Sequence, residues 1–307
     1  MKLIRTLDGL PASVTGGAVT IGNFDGVHRG HAVLLERLVR HAAAVGGPAV
    51  VFTFDPHPVQ LLCPGAGPPP LTWVERKAEL LAELGADVVV ACPTDKMLLS
   101  LAPQEFFREI VSDRLQAKAL IEGPNFFFGR DRSGSIDDLR RLCHEFGVVL
   151  EVVQPLKVGG RYISSSWIRE LILAGRIREA EELLTEPYRV RGCVVKGAGR
   201  GRKLGFPTAN IDPVGIVLPP PGVYAGRGMI DGNSYAAATH IGPNPTFGEQ
   251  RLRIEVHLID CQRELYGRLL ELDFLRRLRD IQPFEDVAAL QCQLADDVEA
   301  ARQIARL

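Results

Sequence analysis

The stretch Gly22-Asn23-Phe24-Asp25-Gly26-Val27-His28-Arg29-Gly30-His31 decides how this chain is read. A short apolar run, 18–21, comes before it and predicts a buried strand; a run of helix formers, 32–45, follows and predicts a helix. Three glycines and two imidazoles therefore fall between the end of a strand and the start of a helix. In an open α/β sheet, ligands bind at this place. The unpaired N–H groups and positive dipole end of a helix N-terminus attract phosphate, and glycines let the backbone approach it closely. His28 and His31 add donors that can follow charge developing there.

Working outward, the strand-then-helix pattern repeats. Strands are predicted at 49–54, 86–92, 119–122 and 148–153, and helices at 73–84, 104–116 and 136–146. The runs 49–54 and 88–91 are almost wholly apolar, as in strands covered on both faces. Such repeated units predict a parallel sheet with helices on both sides. The unusual residues sit in the loops after these strands, at 22–31, 55–70 and 123–135. A helical stretch, 166–186, is interrupted near Gly175, and after Pro187 the texture changes. From 188 to 274, β-rich runs such as 190–195, 222–226, 235–241 and 252–259 alternate with glycine and proline, which predicts a small antiparallel barrel or sandwich. Leu252, Ile254, Val256 and Leu258 alternate with Arg253, Glu255 and His257, the period of a half-buried strand. Val287, Leu290, Leu294, Val298, Ala301 and Ile304 form one apolar helical stripe, predicted to pack on the β-rich unit. With 307 residues, two domains are expected, 1–186 and 187–307.

Composition narrows the class. Hydrophobic residues make up 46%, charged residues 24%, and the net charge is −1, so the molecule has no bulk attraction for nucleic acid or membrane. Six cysteines, at 63, 92, 143, 193, 261 and 292, form no Cys-x-x-Cys pair and suggest neither a zinc site nor a redox pair. No stretch resembles a signal peptide or a bilayer-length apolar run, so a cytoplasmic protein is expected. Homo-oligomerisation is not readable from the sequence.

His28-x-Gly30-His31 after a strand resembles the signature of the nucleotidyltransferase superfamily, enzymes that bind ATP on a Rossmann-like sheet and transfer its adenylyl group to a phosphate. Attack at the α-phosphorus passes through a crowded, highly charged state, so positioning and charge stabilisation supply most of the acceleration. The resemblance implies that Gly22, Asn23, Phe24 and Gly30 help bind ATP while His28 and His31 steady the α-phosphate. Losing one such donor costs about 3–4 kcal/mol of transition-state stabilisation. On their own, the two histidines would read as ordinary helix-start residues. The stretch Ile163-Ser164-Ser165-Ser166-Trp167-Ile168-Arg169 is similar to the Ser/Thr-rich helix start of the same superfamily. That similarity implies β- and γ-phosphate contacts from Ser164, Ser165 and Ser166, with Arg169 neutralising them. A plain N-cap with a surface arginine is the bland alternative. Trp167 stands where the superfamily often has arginine, so one cation of the pattern is missing.

Two further loops narrow the resemblance. Thr53-Phe54-Asp55-Pro56-His57-Pro58 and Gly123-Pro124-Asn125-Phe126-Phe127-Phe128-Gly129, with Arg132-Ser133-Gly134 after it, resemble the flavin-side loops of prokaryotic FMN adenylyltransferases. They imply flavin contacts from Phe54, His57, Pro58, Asn125, Phe126 and Phe128, and stacked aromatics suit an isoalloxazine ring. Taken singly, Phe127 or Phe128 reads as core. Asn125 stands where many members carry Asp.

The second half opens on Gly197-Ala198-Gly199-Arg200-Gly201-Arg202-Lys203-Leu204-Gly205-Phe206-Pro207-Thr208-Ala209-Asn210. No Gly-Lys-Ser/Thr follows at P-loop spacing, and the β-rich setting excludes a dinucleotide fingerprint. Six basic and no acidic residues lie between Arg189 and Lys203, which by charge alone permits nucleic-acid binding. The stretch from Gly205 to Asn210, however, resembles the riboflavin kinase signature. It implies an arch over ATP from Gly199, Gly201, Lys203, Gly205 and Pro207, with Thr208 and Asn210 holding Mg²⁺ and the nucleotide phosphates. A hydroxyl and an amide carbonyl are oxygen donors of the kind Mg²⁺ accepts beside phosphate. Glu255-Val256-His257-Leu258 is similar to the catalytic strand of that family and implies that Glu255 is the general base for the ribityl 5′-hydroxyl. Alone, Glu255 would read as a solvated carboxylate. The segments 221–224, 241–247 and 265–267 recur in that family in the same order, and His240 replaces its more usual small or amide residue.

Across its whole length the chain resembles the bifunctional prokaryotic FAD synthetases. That implies a Rossmann-like α/β nucleotidyltransferase domain, then a six-stranded antiparallel β-barrel riboflavin kinase domain with a C-terminal helix. It implies conversion of riboflavin and ATP to FMN and ADP, then of FMN and ATP to FAD and pyrophosphate, with no nucleic-acid or membrane partner. Two rivals stand beside it. One is an FAD synthetase whose decayed kinase half serves as a flavin-binding regulatory module. The other is an RNA-binding protein using 189–203. Retention of Thr208, Asn210 and Glu255 together argues against both.

Overall fold

A computed structural model describes residues 1–62, 67–197, 199–213, 215–244 and 249–306. Cys63, Ala198 and the 245–247 part of the 241–247 motif lie outside them. The chain forms two compact units, Met1–Pro68 with Trp73–Ser165, and Pro69–Thr72 with Ser166–Leu307.

The first unit holds a six-stranded parallel sheet in the order β1-β4-β3-β2-β5-β6. Its strands are β1 (Lys2–Ile4), β2 (Ala18–Ile21), β3 (Ala49–Asp55), β4 (Val88–Pro93), β5 (Ala119–Glu122) and β6 (Val149–Val152), and a separate antiparallel pair, β7 (Lys157–Val158) and β8 (Arg161–Tyr162), follows them. Five of the sheet's strands were predicted; β1, three residues long and paired to β4, was too short to show a pattern. The helices are α1 (Arg29–Val45), α2 (Pro58–Leu62), α3 (Val74–Glu83), α4 (Lys96–Ser100), α5 (Pro103–Phe106) and α6 (Ile136–Phe146). The helix predicted over 104–116 is not uniform. After α5 the backbone widens over Phe107–Arg114, and Leu115 donates to the Ile110 carbonyl five residues back.

Alternate strand residues feed two cores, which is why the strands are apolar throughout. Val19, Ile21, Val50 and Phe52 meet α5, the widened helix and α6 on one face. Ala18, Ala49, Val51 and Val89 meet Leu35 and Leu38 of α1 and Leu81 of α3 on the other. Each such leucine contributes roughly 1.5–3 kcal/mol by leaving water. The chain reverses direction across the sheet at β2, between β3 and β5, so the loop after β2 stands at the switch point where such sheets bind ligands.

In the second unit, α7 (Ser165–Leu173, its first residue in the first unit) and α8 (Ile177–Glu181) are separated at Gly175, whose φ of 73° only glycine adopts freely. Six antiparallel strands then close a barrel in the order β10-β13-β12-β11-β14-β9. They are β9 (Tyr188–Val195), β10 (Ala209–Pro213), β11 (Gly222–Ile230), β12 (Asn233–Asn244), β13 (Glu249–Leu258) and β14 (Leu269–Arg279). A short helix, α9 (Arg200–Lys203), lies in the glycine-rich loop, and α10 (Val287–Ala305) ends the chain. Tyr224, Val256, Leu272 and Phe274 fill the barrel. Ile254, Val256 and Leu258 are buried, as their alternation predicted. Ala301 and Val298 of α10 pack on Ala225 and Ala238. Two details depart from the predicted stripe of α10: Val287 is exposed, and Asp297 is buried.

Candidate active sites

In the first unit the loop after β2 carries His28 as the N-cap of α1. The two histidines lock each other in place. His31 N–H donates to His28 Nδ1 at 3.3 Å, and His28 N–H donates to His31 Nδ1 at 3.2 Å. The rings stack with centroids 3.6 Å apart, and Phe24 lies 5.0 Å from His31. Because both Nδ1 atoms accept, each neutral ring carries its proton on Nε2. Burial lowers the pKa of His28 to about 4. Burial first, then the charges of His28 and Lys77, hold His31 well below its usual value. A Cβ on Gly30 would crowd the His28 ring at 3.1 Å.

The loop is tied to its surroundings. The Thr53 hydroxyl donates to the Asn23 carbonyl (3.2 Å), the Ser165 hydroxyl to the Asp25 carbonyl (2.8 Å), and Ile21 N–H to the buried Glu122 carboxyl (2.6 Å). Burial drives the Glu122 pKa well above the carboxylate range. A Cβ on Gly22 would crowd the Phe24 ring at 3.1 Å. Near the end of β3, Phe54 packs on the core, and after the strand His57 Nδ1 accepts from Val59 N–H just past Pro58. After β5, the rings of Phe126 and Phe128 stack at 5.5 Å; Phe128 is buried, whereas Asn125 and Phe127 are exposed. Ser164 precedes α7, while Ser166 and Arg169 fall in the second unit, with Arg169 Nε donating to the Pro69 carbonyl at 3.1 Å.

Sequence reading missed Lys77. It is buried on α3, its ammonium 3.5 Å from the Thr53 hydroxyl. Burial lowers its pKa, while the charges of Asp25 and Asp55 raise it. The signal was present: Lys77 lies on the same helical face as Trp73 and Leu81, where a charge has no surface reason to be.

In the second unit the register of the barrel assembles the other constellation. Asn210 of β10 pairs with Glu255 of β13, Glu255 with His240 of β12, and His240 with Val223 of β11. This rung is on the outer face, because the adjacent rung of Val256, Thr239 and Tyr224 is buried inside. Asn210, Glu255, His240 and Thr208 line one cavity, partly open to solvent, roofed by Leu290 and Leu294 of α10. A second cavity, lined by Arg202, Pro207 and Tyr266, shares Thr208 with the first. His257 Nδ1–H donates to the Pro207 carbonyl at 2.7 Å and fixes the end of the glycine-rich loop. Gly201 must be glycine, since a Cβ would come within 2.3 Å of the Phe206 carbonyl oxygen. Gly199, with a φ of 67°, also lines the first cavity; Lys203 ends α9, and Gly205 follows with a φ of 90°. Arg279 clamps the buried Asp297 of α10, with Nη2–Oδ2 and Nε–Oδ1 distances of 2.7 and 3.0 Å. Arg189, from the basic stretch, is ion-paired to Asp273 and Glu271.

The sequence matches two family models: "FAD synthetase" over residues 10–167 and "Riboflavin kinase" over 184–305. A bifunctional riboflavin kinase/FMN adenylyltransferase from Pseudomonas fluorescens is 37% identical, with 99% of this chain and 98% of that protein covered. The Escherichia coli K12 protein of the same description is 36% identical over 99% of this chain and 97% of its own length. The chain belongs to the bifunctional riboflavin kinase/FMN adenylyltransferase family.

A solved structure described as a macrolide-efflux protein from Streptococcus pneumoniae shares the fold with a TM-score of 0.87 at 30% identity, covering 98% of both chains. Among the described residues of this family member, no helix is long and apolar enough to cross a membrane. The expected pairing of a parallel-sheet nucleotidyltransferase-like unit with a closed six-stranded barrel and C-terminal helix holds. The family matches do not favour the RNA-binding or decayed-kinase alternatives.

Proposed function

We propose that the chain makes FAD in two steps at two separate sites. The barrel unit phosphorylates riboflavin with ATP, giving FMN and ADP. The parallel-sheet unit joins FMN to the adenylyl group of ATP, giving FAD and pyrophosphate. The supporting observation is that Thr208, Asn210 and Glu255 converge on one cavity in the part matching riboflavin kinase, while a locked His28–His31 pair caps α1 in the part matching FAD synthetase. Residues 1–186 serve the adenylyl transfer and 187–307 the kinase. The protein works in the cytoplasm, without a nucleic-acid partner.

In the kinase step riboflavin occupies the cavity beneath α10, and ATP the cavity lined by Arg202 and Tyr266; the arch of Gly199, Gly201, Lys203, Gly205 and Pro207 serves both, with Gly199 and Gly201 lining the first and Pro207 the second. Thr208, common to both, marks where the γ-phosphate meets the flavin hydroxyl. Glu255 takes the 5′-hydroxyl proton as that oxygen bonds to phosphorus and ADP leaves. The Thr208 hydroxyl and Asn210 carbonyl are hard oxygen donors side by side with Glu255, a set that fits Mg²⁺. When bound there, Mg²⁺ supplies neutralisation of phosphate charge.

In the adenylyl transfer an FMN phosphate oxygen attacks the α-phosphorus and pyrophosphate departs. His28 and His31 donate their Nε2–H groups to the phosphate oxygens as charge builds. Held neutral and fixed in tautomer, they need no reorganisation to do so. Gly22, Asn23, Phe24, Gly30, Ser164 and Ser165 bind ATP. Phe54, His57, Pro58, Asn125, Phe126 and Phe128 bind the flavin. An HPLC time course with riboflavin, ATP and Mg²⁺ tests this. FMN rising first and FAD after it is expected; FMN without FAD, or no turnover, contradicts it.

A further inference from the structure

One polar side chain of the flavin cavity has no part in the chemistry above. His240 is paired in register with Glu255 on one side and Val223 on the other. Paired residues of an antiparallel ladder hold their Cβ atoms about 4.5–5.5 Å apart, so the imidazole stands next to the Glu255 carboxylate, and both line the same cavity. His240 Nδ1 is buried and has no hydrogen-bond partner. Burial, and then the charge of Arg279, lower its pKa. Arg279 is itself held in place by Asp297 of α10. The ring is therefore neutral and carries one proton. A buried N–H without a partner is rarer and costlier than a bare lone pair. The proton accordingly belongs on Nε2, and His240 presents a single N–H donor beside the base.

We propose that His240 binds the ribityl chain of riboflavin, its Nε2–H donating to the oxygen of a hydroxyl neighbouring the one that is phosphorylated. The assignment rests on the kinase reading of this cavity. It selects the chain over the ring by position. His240 is one strand away from Glu255, as the adjoining hydroxyls are a carbon or two from the reacting one. The flat ring finds its apolar walls further on, at Phe284, Leu290 and Leu294. A site built to bond a substrate hydroxyl discriminates against analogues that lack it.

Steady-state phosphorylation of riboflavin and its 4′-deoxy and 3′-deoxy analogues by wild type, H240A, H240Q and H240N tests the proposal. H240A should lower kcat/KM for riboflavin about tenfold, mostly through KM, as expected for one lost hydrogen bond made in ground and transition states alike. On the analogue that lacks the contacted hydroxyl, H240A should cost nothing further. H240Q, whose amide N–H reaches the place of Nε2–H, should recover most of the loss, and the shorter H240N should not. Unchanged kinetics of H240A, or an equal loss on all three substrates, overturns the assignment. Should H240A fail to fold, the contrast between H240Q and H240N decides, with FMN adenylylation by the same preparations as the control for integrity. E255Q separates the two levels. If it still phosphorylates riboflavin, Glu255 is not the base, and the kinase reading of this cavity falls with this assignment. If it is inactive while His240 variants behave as wild type, only this assignment falls.

Discussion

Acid should loosen the first unit through His28. In the folded chain its pKa is about 4 against an ordinary 6.5. Because the folded value lies below the unfolded one, the unfolded chain binds the extra proton. The stabilisation is complete above the unfolded pKa and is lost as pH falls through 6.5 towards 4. Between about pH 7.5 and about pH 5 the linkage removes about 2 kcal/mol, a large share of a typical 5–15 kcal/mol. The chain has two tryptophans. Trp73 is nearly buried at the N-cap of α3, in the first unit, so a Trp167→Phe background makes its fluorescence report that unit during urea unfolding. His28→Asn keeps a good capping side chain without a titrating ring. The pH dependence of stability should be about 2 kcal/mol shallower in the Asn variant over this range. Glu122 titrates in the opposite sense, its raised pKa favouring the folded state at low pH, but it is common to both proteins and drops out of the difference. Equal slopes for the two proteins would refute the burial of a neutral His28.

Three other perturbations probe the rest. Asp297→Ala strips the partner from the half-buried Arg279; chemical denaturation should show the barrel losing about 3–5 kcal/mol. Gly201→Ala places a Cβ 2.3 Å from the Phe206 carbonyl oxygen, so riboflavin phosphorylation should collapse while FMN adenylylation, assayed separately, continues. Lys77→Met leaves Asp25 and Asp55 without the buried cation that lies among them; adenylylation should fall by orders of magnitude, with kinase activity retained.

Much of the fold was legible because it depends on local pattern. The continuous apolar runs of β3 and β4 and the loop at His28 name a doubly covered parallel sheet and its ligand edge. The alternation through Ile254 and Val256 names a strand and tells which side of it faces the core. What sequence could not supply was register. Nothing local says that Asn210, Glu255 and His240, from three strands of the barrel, share one rung. The reciprocal hydrogen bonds between His28 and His31, which fix both tautomers, likewise arise only once the helix has turned. Lys77 and Asp297 were passed over because isolated charges on helices usually face water, and only tertiary packing shows these two buried.

The claim that two independent sites lie on one chain is tested most directly by assaying His31→Ala and Glu255→Ala for both half-reactions. His31→Ala should convert riboflavin to FMN and stop there, and Glu255→Ala should leave riboflavin untouched yet convert added FMN to FAD. Loss of both activities in either variant, with the protein still folded, would contradict it.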